Sequence, residues 1–285
     1  MIPNCTPLKA SCEGTPLLEV RALCKDYLQR RPLTREKFRV RALASVNLSV
    51  DYGATLGLVG ESGAGKSTLA RCLAQIEGPS SGEIQFDGRH VTGLKGKPLA
   101  DLRRQIQMIF QGATSALNPG FTAEEIISEP LLIQRRSGCA EQRKRALELM
   151  EQVELPASSL HKLPREFSGG QRQRLAIARA LALRPKLLIL DEALSHLDLA
   201  NQAIMLELLA RLQKEQKLTY IYISHDLGML AEIATDIAVM YHGTVVEHKR
   251  TAEILDRPEH PYTQDLLEAM PVCEPACLAS RVVER

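Results

Sequence analysis

One short segment limits what this chain can fold into. An apolar run over residues 54–59 is followed at once by the sequence Gly60-Glu61-Ser62-Gly63-Ala64-Gly65-Lys66-Ser67. This matches the pattern G-x-x-x-x-G-K-S/T, in which a strand ends in a glycine-rich turn and a helix follows. The glycines let the backbone wrap an anion closely, and the open N–H groups at the helix start attract it. The segment therefore predicts a phosphate-binding loop between a strand and a helix that begins near Ser67.

The motif also assigns roles to individual residues. Lys66 is expected to reach the β- and γ-phosphates of a nucleotide, and Ser67 to coordinate Mg²⁺. Thr68 can add a further phosphate contact. A glycine-rich turn that binds no ligand is the alternative. The complete motif in its expected strand-to-helix context argues against that alternative.

A second apolar run, Leu187 to Leu190, leads directly into Asp191 and Glu192. The strand it predicts would deliver both carboxylates to one edge of a sheet. Asp191 is expected to hold Mg²⁺, and Glu192 to orient or deprotonate an attacking water. Acidic residues end many strands and can simply cap a helix, so this pattern gains its strength from the phosphate loop upstream.

A third motif is Ser168-Gly169-Gly170-Gln171, which precedes a helical pattern that continues to residue 183. Its N–H groups and the helix dipole would form a second anion site. A plain helix N-cap at Ser168 is the other interpretation. One nucleotide does not need two such sites from one fold. The pair therefore suggests two chains facing head to tail, each supplying this turn to the γ-phosphate bound by the other.

Strand patterns alternate with helix patterns along most of the chain, which predicts an α/β fold with both faces of the sheet covered. Residues 122–183 are mostly helical in pattern and are expected to form an inserted lobe. Residues 1–16 are expected to be a flexible leader. Gln29 to Arg41 is rich in arginine and contains proline, which indicates a loop that is either solvated or in contact with anionic lipid headgroups. Further strands are expected at residues 17–27, 43–50, 106–110, 219–224 and 237–241, and a hairpin at 82–91.

Charge and cysteine content narrow the classes of function. The chain has 36 basic and 34 acidic residues and a formal net charge of +2, so it lacks the basic field of a dedicated nucleic-acid binder. The seven cysteines are scattered and odd in number, which argues against a disulfide framework and for a reducing compartment, the cytoplasm. We find no secretory signal and no apolar segment long enough to span a bilayer. A soluble or peripheral protein is expected.

Taken in their order, the phosphate loop, the Ser168–Gln171 turn and the Asp191–Glu192 pair resemble the ATPase domain of ABC transporters over about residues 17–271. The resemblance implies a phosphate-loop NTPase (RecA-like) fold over 17–250. Its mixed sheet core would comprise residues 17–112 and 184–250, and an inserted α-helical signature lobe residues 113–183. It also implies ATP and Mg²⁺ as cofactors, permease subunits in the membrane, and a second ABC ATPase subunit, which is either the same or a different chain.

The same resemblance implies roles for four more residues. Tyr27 resembles the aromatic residue that stacks on adenine. Gln111, which follows a predicted strand, resembles the loop glutamine that senses Mg²⁺ and the water and relays to the membrane partner. Asp198 resembles the key carboxylate of the loop that touches the opposite subunit. His225, in Ser224-His225-Asp226, resembles the switch histidine that contacts the γ-phosphate.

Three short strings are similar to the branch of importers for oligopeptides, dipeptides and nickel. They lie at residues 110–119, 167–174 and 257–271. The resemblance implies a C-terminal extension of the peptide-importer type over 251–285, and a peripheral place on the cytoplasmic face of the inner membrane. It also implies a solute-binding protein that delivers the solute to the permease.

The chain departs from this branch at several positions. Gly112 and Ala113 stand where the branch usually has Asp-Pro, which puts the partner and the substrate in doubt more than the ATP chemistry. Ala193 replaces a usual proline and His196 a usual small residue, and neither change removes a catalytic group. The tail contains only two cysteines, at 273 and 277, and a Cys₄ iron–sulfur site needs four. Unpaired thiols are favoured there over a metal or cluster site.

Two other functions compete with transport. An ABC ATPase of DNA maintenance would carry a long coiled-coil or zinc-bearing insertion, but residues 112–167 are short and hold one cysteine. An accessory ATPase of a non-transport complex, such as one that breaks down phosphonates, resembles this branch and stays open. A generic phosphate-loop NTPase switch would lack the Ser168–Gln171 turn.

Overall fold

The described residues form two β-sheets with helices packed against them. A computed structural model of the chain describes residues 15–30, 37–112, 116–134, 138–195 and 197–269. The strands are β1 (Leu18–Arg30), β2 (Lys37–Val50), β3 (Thr55–Val59), β4 (Ser81–Phe86), β5 (Arg89–His90), β6 (Ile106–Ile109), β7 (Leu187–Asp191), β8 (Thr219–Ile223), β9 (Asp236–Tyr241) and β10 (Thr244–Arg250). The α-helices are α1 (Lys66–Leu73), α2 (Gly96–Gln105), α3 (Ala123–Ile133), α4 (Cys139–Gln152), α5 (Gly169–Leu181), α6 (Leu199–Gln216), α7 (Leu227–Ile233), α8 (Thr251–Asp256) and α9 (Pro261–Glu268).

The larger sheet has the strand order β10-β9-β3-β8-β7-β6. Strands β9, β3, β8, β7 and β6 are parallel, and β10 pairs antiparallel with β9 at one edge. Every residue of β3, β7 and β8 is buried, as expected for parallel strands that are covered on both faces. The carboxyl ends of the parallel strands therefore lie along one edge of the sheet, the edge where such folds bind ligands.

The smaller sheet is antiparallel, with the order β2-β1-β4-β5. The mixed α/β architecture is confirmed, but the division of the strands between two sheets was not foreseen. A buried cluster joins the smaller sheet to α1 and to one face of the larger sheet. This cluster includes Leu18, Val46, Leu69, Ile84 and Ile189. A second cluster lies on the other face and continues into the helical region.

The expectation of a basic loop over residues 29–41 was partly wrong. Residues 29–30 end β1 and residues 37–41 begin β2, in a hairpin whose register pairs Gln29 with Phe38 and Asp26 with Arg41. Arg41 Nε donates to Asp26 Oδ1 at 3.1 Å, and Arg39 lies 3.8 Å from the same carboxylate. The charge of the arginines led to the expectation of a loop. In the strand, the cross-strand ion pairs with Asp26 stabilise them. The connection at 31–36 lies outside the described residues.

The helical lobe contains α3, α4 and α5, which pack on one another through a buried cluster. Thr122 and Glu125 form a capping box at the start of α3. The expected helical stretch over 122–183 is interrupted between α4 and α5, where two 3-10 turns lie. Interior residues of the lobe include Ile126, Ile127, Ala146, Leu149, Met150, Leu175 and Ile177.

The sequence analysis missed four elements, namely α2, β10, α8 and α9. Most of the expected leader at 1–16, as well as Ala113, His196 and the cysteines at 273 and 277, lies outside the described residues. Within the described part of the chain, we find no helix with the length and apolar character needed to cross a membrane.

Candidate active site

The phosphate loop follows β3 and leads into α1, at the carboxyl edge of the larger sheet. Gly65 occupies the N-cap position of α1 with φ of +103°, and no side chain caps the helix. Gly60 is required by close packing, because a Cβ there would lie 2.2 Å from the Met240 carbonyl oxygen. Gly63 instead faces open space, with φ of +85°. The loop is thus held by the sheet on one side and leaves its backbone and the first N–H groups of α1 accessible to an anion.

Lys66 is the first residue of α1 and is only 6% exposed. Its ammonium donates to the carbonyl oxygens of Gly60 at 2.6 Å and of Glu61 at 2.9 Å. Burial lowers the pKa of Lys66, and the nearby carboxylates of Glu192 and Asp191 oppose that shift. The loop therefore engages two of the three N–H donors of the ammonium and fixes its position, which leaves the third donor for a bound phosphate. Ala64 and Thr68 are buried beside it, while Glu61 and Ser62 are exposed.

The hydroxyl and carboxylate expected to hold Mg²⁺ lie together. Ser67 Oγ donates to Asp191 Oδ1 at 3.2 Å, across 124 residues of sequence. Asp191 is 5% exposed, and burial raises its pKa against the opposing effect of the Ser67 hydrogen bond. A buried carboxylate beside a hydroxyl, with its ionised form disfavoured by burial, suits a hard cation that prefers oxygen ligands. These residues therefore fit Mg²⁺.

The side chains of Gln111 and His225 meet at Glu192. These three residues follow β6, β8 and β7, which are neighbours in the larger sheet. Gln111, which follows β6, donates through Nε2 to Glu192 Oε2 at 2.7 Å. His225, which follows β8, places Nδ1 3.7 Å from Glu192 Oε1. Glu192 itself has φ of +48°, a left-handed conformation that is rare for a residue with a side chain. Backbone strain of this kind is concentrated at functional sites, where the surrounding structure holds it in place.

Tyr27 is half-buried on β1, near the start of α1. Its hydroxyl donates to Glu77 Oε2 at 2.6 Å, and Lys25 Nζ lies 5.2 Å from the centre of its ring. Burial raises the pKa of the Tyr27 hydroxyl, and the Glu77 carboxylate adds to the shift. The polar end of the side chain is therefore engaged with Glu77.

The second anion motif begins α5. Ser168 and Gln171 form a capping box, in which Ser168 Oγ accepts from Gln171 N at 3.2 Å and Gln171 Oε1 accepts from Ser168 N at 3.0 Å. Gly169 starts the helix, and a Cβ at Gly170 would lie 3.4 Å from Asn201 Oδ1. Among the residues that the structure describes, no hydrogen bond or ion pair joins this turn to the phosphate loop of the same chain.

Asp198 caps the helix next to that turn. Its Oδ1 accepts from Asn201 N at 2.9 Å and its Oδ2 from Asn201 Nδ2 at 2.7 Å, and these hydrogen bonds lower its pKa. Because Asn201 also lies beside Gly170, the Asp198 loop and the Ser168–Gln171 turn form one continuous exposed surface.

One contact to the phosphate loop was missed by the sequence analysis. Tyr262 of α9 accepts a hydrogen bond from the Glu61 backbone N–H at 2.8 Å, although 201 positions separate the two residues. The string around Tyr262 was noted only as a mark of resemblance. Nothing in its composition indicates which part of the molecule it contacts.

Comparisons with known proteins point to one family. The family model described as "ABC transporter" matches residues 43–195. The model described as "Oligopeptide/dipeptide transporter, C-terminal region" matches residues 246–281.

Several curated proteins are similar along nearly the whole chain. The dipeptide transport ATP-binding protein DppF of Haemophilus influenzae is 41% identical over 270 residues, which cover 95% of this chain and 83% of that protein. The probable peptide ABC transporter ATP-binding protein y4tS of Sinorhizobium fredii is 44% identical over 268 residues, which cover 91% and 74%. The glutathione import ATP-binding protein GsiA of Pectobacterium atrosepticum is 42% identical over 262 residues, which cover 92% of this chain and 42% of that protein.

Two solved structures share the fold. The dimeric ATP-binding cassette MJ0796, in a post-hydrolysis state bound to ADP and Pi, superposes with a TM-score of 0.72 at 30% identity. The match covers 82% of this chain and 98% of that one. The structure of cbiO1 from Clostridium perfringens, part of the ABC transporter complex cbiONQ, gives a TM-score of 0.73 at 28% identity, covering 85% and 91%.

Proposed function

Because this chain belongs to the ABC transporter family, we propose that it is the ATP-binding and hydrolysing subunit of a membrane importer. The observation that carries the proposal is the meeting of Gln111, Glu192 and His225 beside the Ser67–Asp191 pair, at one edge of the sheet. Binding of ATP needs only the phosphate loop. The convergence of a carboxylate, an amide and an imidazole next to that loop supports hydrolysis.

The phosphate loop binds the triphosphate. Residues 60–65 and the first N–H groups of α1 surround the phosphates, Lys66 pairs with the β- and γ-phosphates, and Thr68 adds a contact. Tyr27 stacks on the adenine. Mg²⁺ held by Ser67, Asp191 and Gln111 would neutralise charge that develops on the phosphate oxygens.

Glu192 acts on the attacking water as general base. The Gln111 hydrogen bond at 2.7 Å orients one carboxylate oxygen and leaves the other near the exposed imidazole of His225. A general base must lie within hydrogen-bond reach of the proton that it takes. Its contacts with Gln111 and with the exposed His225 place the carboxylate among polar side chains at the end of β7, which supports that task. His225 contacts the γ-phosphate and reports its presence.

A second ATPase subunit completes the site. The Ser168–Gln171 turn and Asp198 lie on one exposed surface, and this surface faces the nucleotide bound by the partner, which is either the same or a different chain. Two facing subunits then enclose two nucleotides, and hydrolysis reopens the pair.

The permease docks beside Gln111. A groove of about 340 Å³ lies there, lined in part by Phe110, Leu117, Pro130 and Ala180. Ile133 at its rim is 71% exposed. A largely apolar groove, beside the glutamine that touches Glu192, lets a docked segment sense the nucleotide state. The protein would then be peripheral, on the cytoplasmic face of the inner membrane.

The transported solute is a peptide or a related small solute, such as an oligopeptide, a dipeptide or nickel. This step relies on relatives named for dipeptide, peptide and glutathione import, and on the C-terminal match at residues 246–281. A solute-binding protein would deliver the solute to the permease. We assign residues 17–250 to the ATPase domain and 251–285 to a C-terminal extension.

The test compares the wild-type chain with Glu192→Gln and with Glu215→Gln, a control at an exposed position on α6. ATP hydrolysis and ATP-dependent dimerisation are measured, the latter by size-exclusion chromatography. We expect the hydrolysis rate of Glu192→Gln to fall by at least about 100-fold, which is in the range of general-base contributions. It should still accumulate as an ATP-bound dimer, and the control should match the wild type. Unchanged hydrolysis in Glu192→Gln would contradict the assigned role.

A further inference from the structure

A single peptide group of the phosphate loop is held at both of its ends. It is the peptide that joins Gly60 to Glu61. Its carbonyl oxygen accepts from Lys66 Nζ at 2.6 Å, and its N–H donates to the Tyr262 hydroxyl at 2.8 Å. The described residues contain no cis peptide bond, so the oxygen and the hydrogen point in opposite directions. Fixing the N–H therefore also fixes the direction of the carbonyl that receives Lys66.

Tyr262 is itself held firmly. The residue is 8% exposed, and the centre of its ring lies 4.3 Å from that of Tyr241, which ends β9. Its backbone N–H donates to His260 Nδ1 at 3.1 Å, and Pro261 supplies the fixed φ of the first residue of α9. A buried ring with its backbone capped in this way presents the hydroxyl in one place.

The segment that carries Tyr262 is anchored to the edge strand β10. Glu247 is 4% exposed, and its two carboxylate oxygens accept from Glu259 N at 3.0 Å and His260 N at 3.2 Å. Lys249 lies 3.2 Å from Glu247 and 2.7 Å from Glu259. The segment that carries Tyr262 is thus attached to the larger sheet through β10.

We propose that Tyr262 is a positioning residue for the phosphate loop, through which the C-terminal extension sets the affinity of the site for nucleotide. The inference rests on the proposed function. Tyr262 acts through the Gly60–Glu61 peptide on Lys66, and does not touch the nucleotide. If the Tyr262 hydroxyl served only the stability of the fold, its removal would lower that stability and leave nucleotide affinity unchanged.

The experiment uses the full-length chain and the variant Tyr262→Phe, which keeps the ring and removes the hydroxyl. Tyr220→Phe is the matched control, because Tyr220 is also buried and its hydroxyl donates to the Leu209 carbonyl oxygen at 3.0 Å, within the core. Titration calorimetry with MgATP and MgADP measures affinity, and steady-state hydrolysis gives KM and kcat. Hydrogen exchange of the Glu61 amide reports the contact without any nucleotide.

For Tyr262→Phe we expect weaker binding of both nucleotides by about 3- to 10-fold, the usual net effect of one hydrogen bond. KM should rise by the same factor, kcat should stay within about twofold, and the Glu61 amide should exchange faster. Tyr220→Phe should lower the melting temperature and leave affinity, KM and Glu61 exchange as in the wild type.

Two results would overturn the inference in different ways. Unchanged affinity and unchanged Glu61 exchange in Tyr262→Phe, beside a wild-type chain that binds ATP, would reject the role of Tyr262 alone. A wild-type chain that fails to bind ATP would reject the proposed function, and the inference that rests on it would fall too.

Discussion

The two helices that begin at predicted anion-binding motifs differ in how their N-terminal N–H groups are satisfied. Helix α1 starts after Gly65, and no side chain caps it. Helix α5 starts after Ser168, whose hydroxyl and the Gln171 side chain satisfy each other's backbone N–H groups. The N–H groups at the start of α1 are thus open to an anion, whereas those at the start of α5 have side-chain partners in the capping box. We call the former the open end and the latter the closed end.

The difference matches the proposed division of labour. The α1 loop has no side-chain cap at its helix end, and neighbouring segments support it in addition to Lys66. Met240 packs against Gly60, Gly243 N donates to the Ala64 carbonyl oxygen at 3.0 Å, and Tyr262 holds Glu61. The α5 turn needs no such support and stays exposed, ready for a partner. In the proposed function, one chain binds the nucleotide at α1 and offers its α5 turn to the nucleotide bound by a second chain.

The largest expected effect is on ATP affinity, and it follows from removing the positive charge of Lys66 at the open end of α1. Lys66→Met should weaken ATP binding by about 10- to 100-fold, because a hydrogen bond to a charged group contributes about 1.5–3 kcal/mol. Hydrolysis should be lost with it. The measurement is the rise in melting temperature on adding MgATP, which follows the ligand's affinity for the folded state.

Lys214→Met is the control for that experiment, since Lys214 is exposed near the end of α6. It should show the wild-type rise in melting temperature. An equal rise in Lys66→Met would mean that the lysine does not reach the phosphates, and that the open end of α1 binds the anion through its backbone alone.

The next prediction uses two substitutions of Ser168 to separate helix capping from anion binding at the closed end of α5. Ser168→Asp keeps a good N-cap but adds negative charge where the partner's γ-phosphate is expected. Stability should stay near wild type while hydrolysis falls at least about tenfold, equivalent to about 1.4 kcal/mol in the barrier. Ser168→Ala should instead lower the free energy of unfolding by about 1 kcal/mol.

Denaturant unfolding, hydrolysis and nucleotide affinity are measured on both variants of Ser168. Nucleotide affinity of the isolated chain should match the wild type in each, because the α5 turn serves the other subunit. Wild-type hydrolysis by Ser168→Asp would show that α5 is a capped helix with no phosphate at its end.

The contrast between the two ends could be predicted from sequence only in part. The loop around Lys66 and the Asp191–Glu192 pair were predictable, because strand and helix periodicity fix where such short motifs must lie. The Gln111–Glu192 contact was not predicted. The resemblance assigned Gln111 a role near Mg²⁺ and the water, but the strand order that brings it beside Glu192 cannot be read from any single strand. Tyr262 could not be foreseen, because its contact depends on how an edge strand and a C-terminal helix fold back over the loop.

Dependence on contacts made only in the folded chain also explains why some elements were missed. Helix α2 has one fully buried residue, Leu102, so its apolar period is too weak to recognise. Strand β10 carries Glu247 at a buried position, where sequence reasoning expects an apolar residue. Its charge is tolerated because two backbone N–H groups and Lys249 surround it. Such compensation becomes visible only in the folded chain.

A pair of glycine substitutions tests the different packing of the two ends. Gly60→Ala would place a Cβ 2.2 Å from the Met240 carbonyl oxygen, so the loop must shift. We expect a loss of about 1–3 kcal/mol in stability and weaker ATP binding. Gly170→Ala meets its nearest atom, Asn201 Oδ1, at an ordinary 3.4 Å, so stability and affinity should hold. Thermal melts with and without MgATP measure both, and equal losses in the two variants would remove the contrast.

The smallest expected effect concerns Glu247 of β10, the anchor that holds the segment carrying Tyr262 to the larger sheet. Burial disfavours the charge of Glu247, but the hydrogen bonds to its carboxylate, of which that from the Glu259 N–H is the largest, together outweigh burial and hold the pKa of this carboxyl below its ordinary 4.5. A carboxyl whose pKa is lowered by folding stabilises the fold above its unfolded pKa, and that contribution disappears as the pH falls through the folded pKa. Glu247→Gln should therefore cost about 1 kcal/mol at pH 7, and progressively less below about pH 4.5.

Urea unfolding at pH 7, 5.5 and 4 measures this difference, with Glu253→Gln at an exposed position on α8 as the control. If the anchor also steadies Tyr262, Glu247→Gln should weaken ATP binding by less than Tyr262→Phe does, because the ring still packs on Tyr241. A loss of stability that does not change with pH would mean that the shape of Glu247, and not its charge, holds the extension to β10. The open end of α1 would then be supported by packing, and its affinity for nucleotide would not respond to acid through this residue.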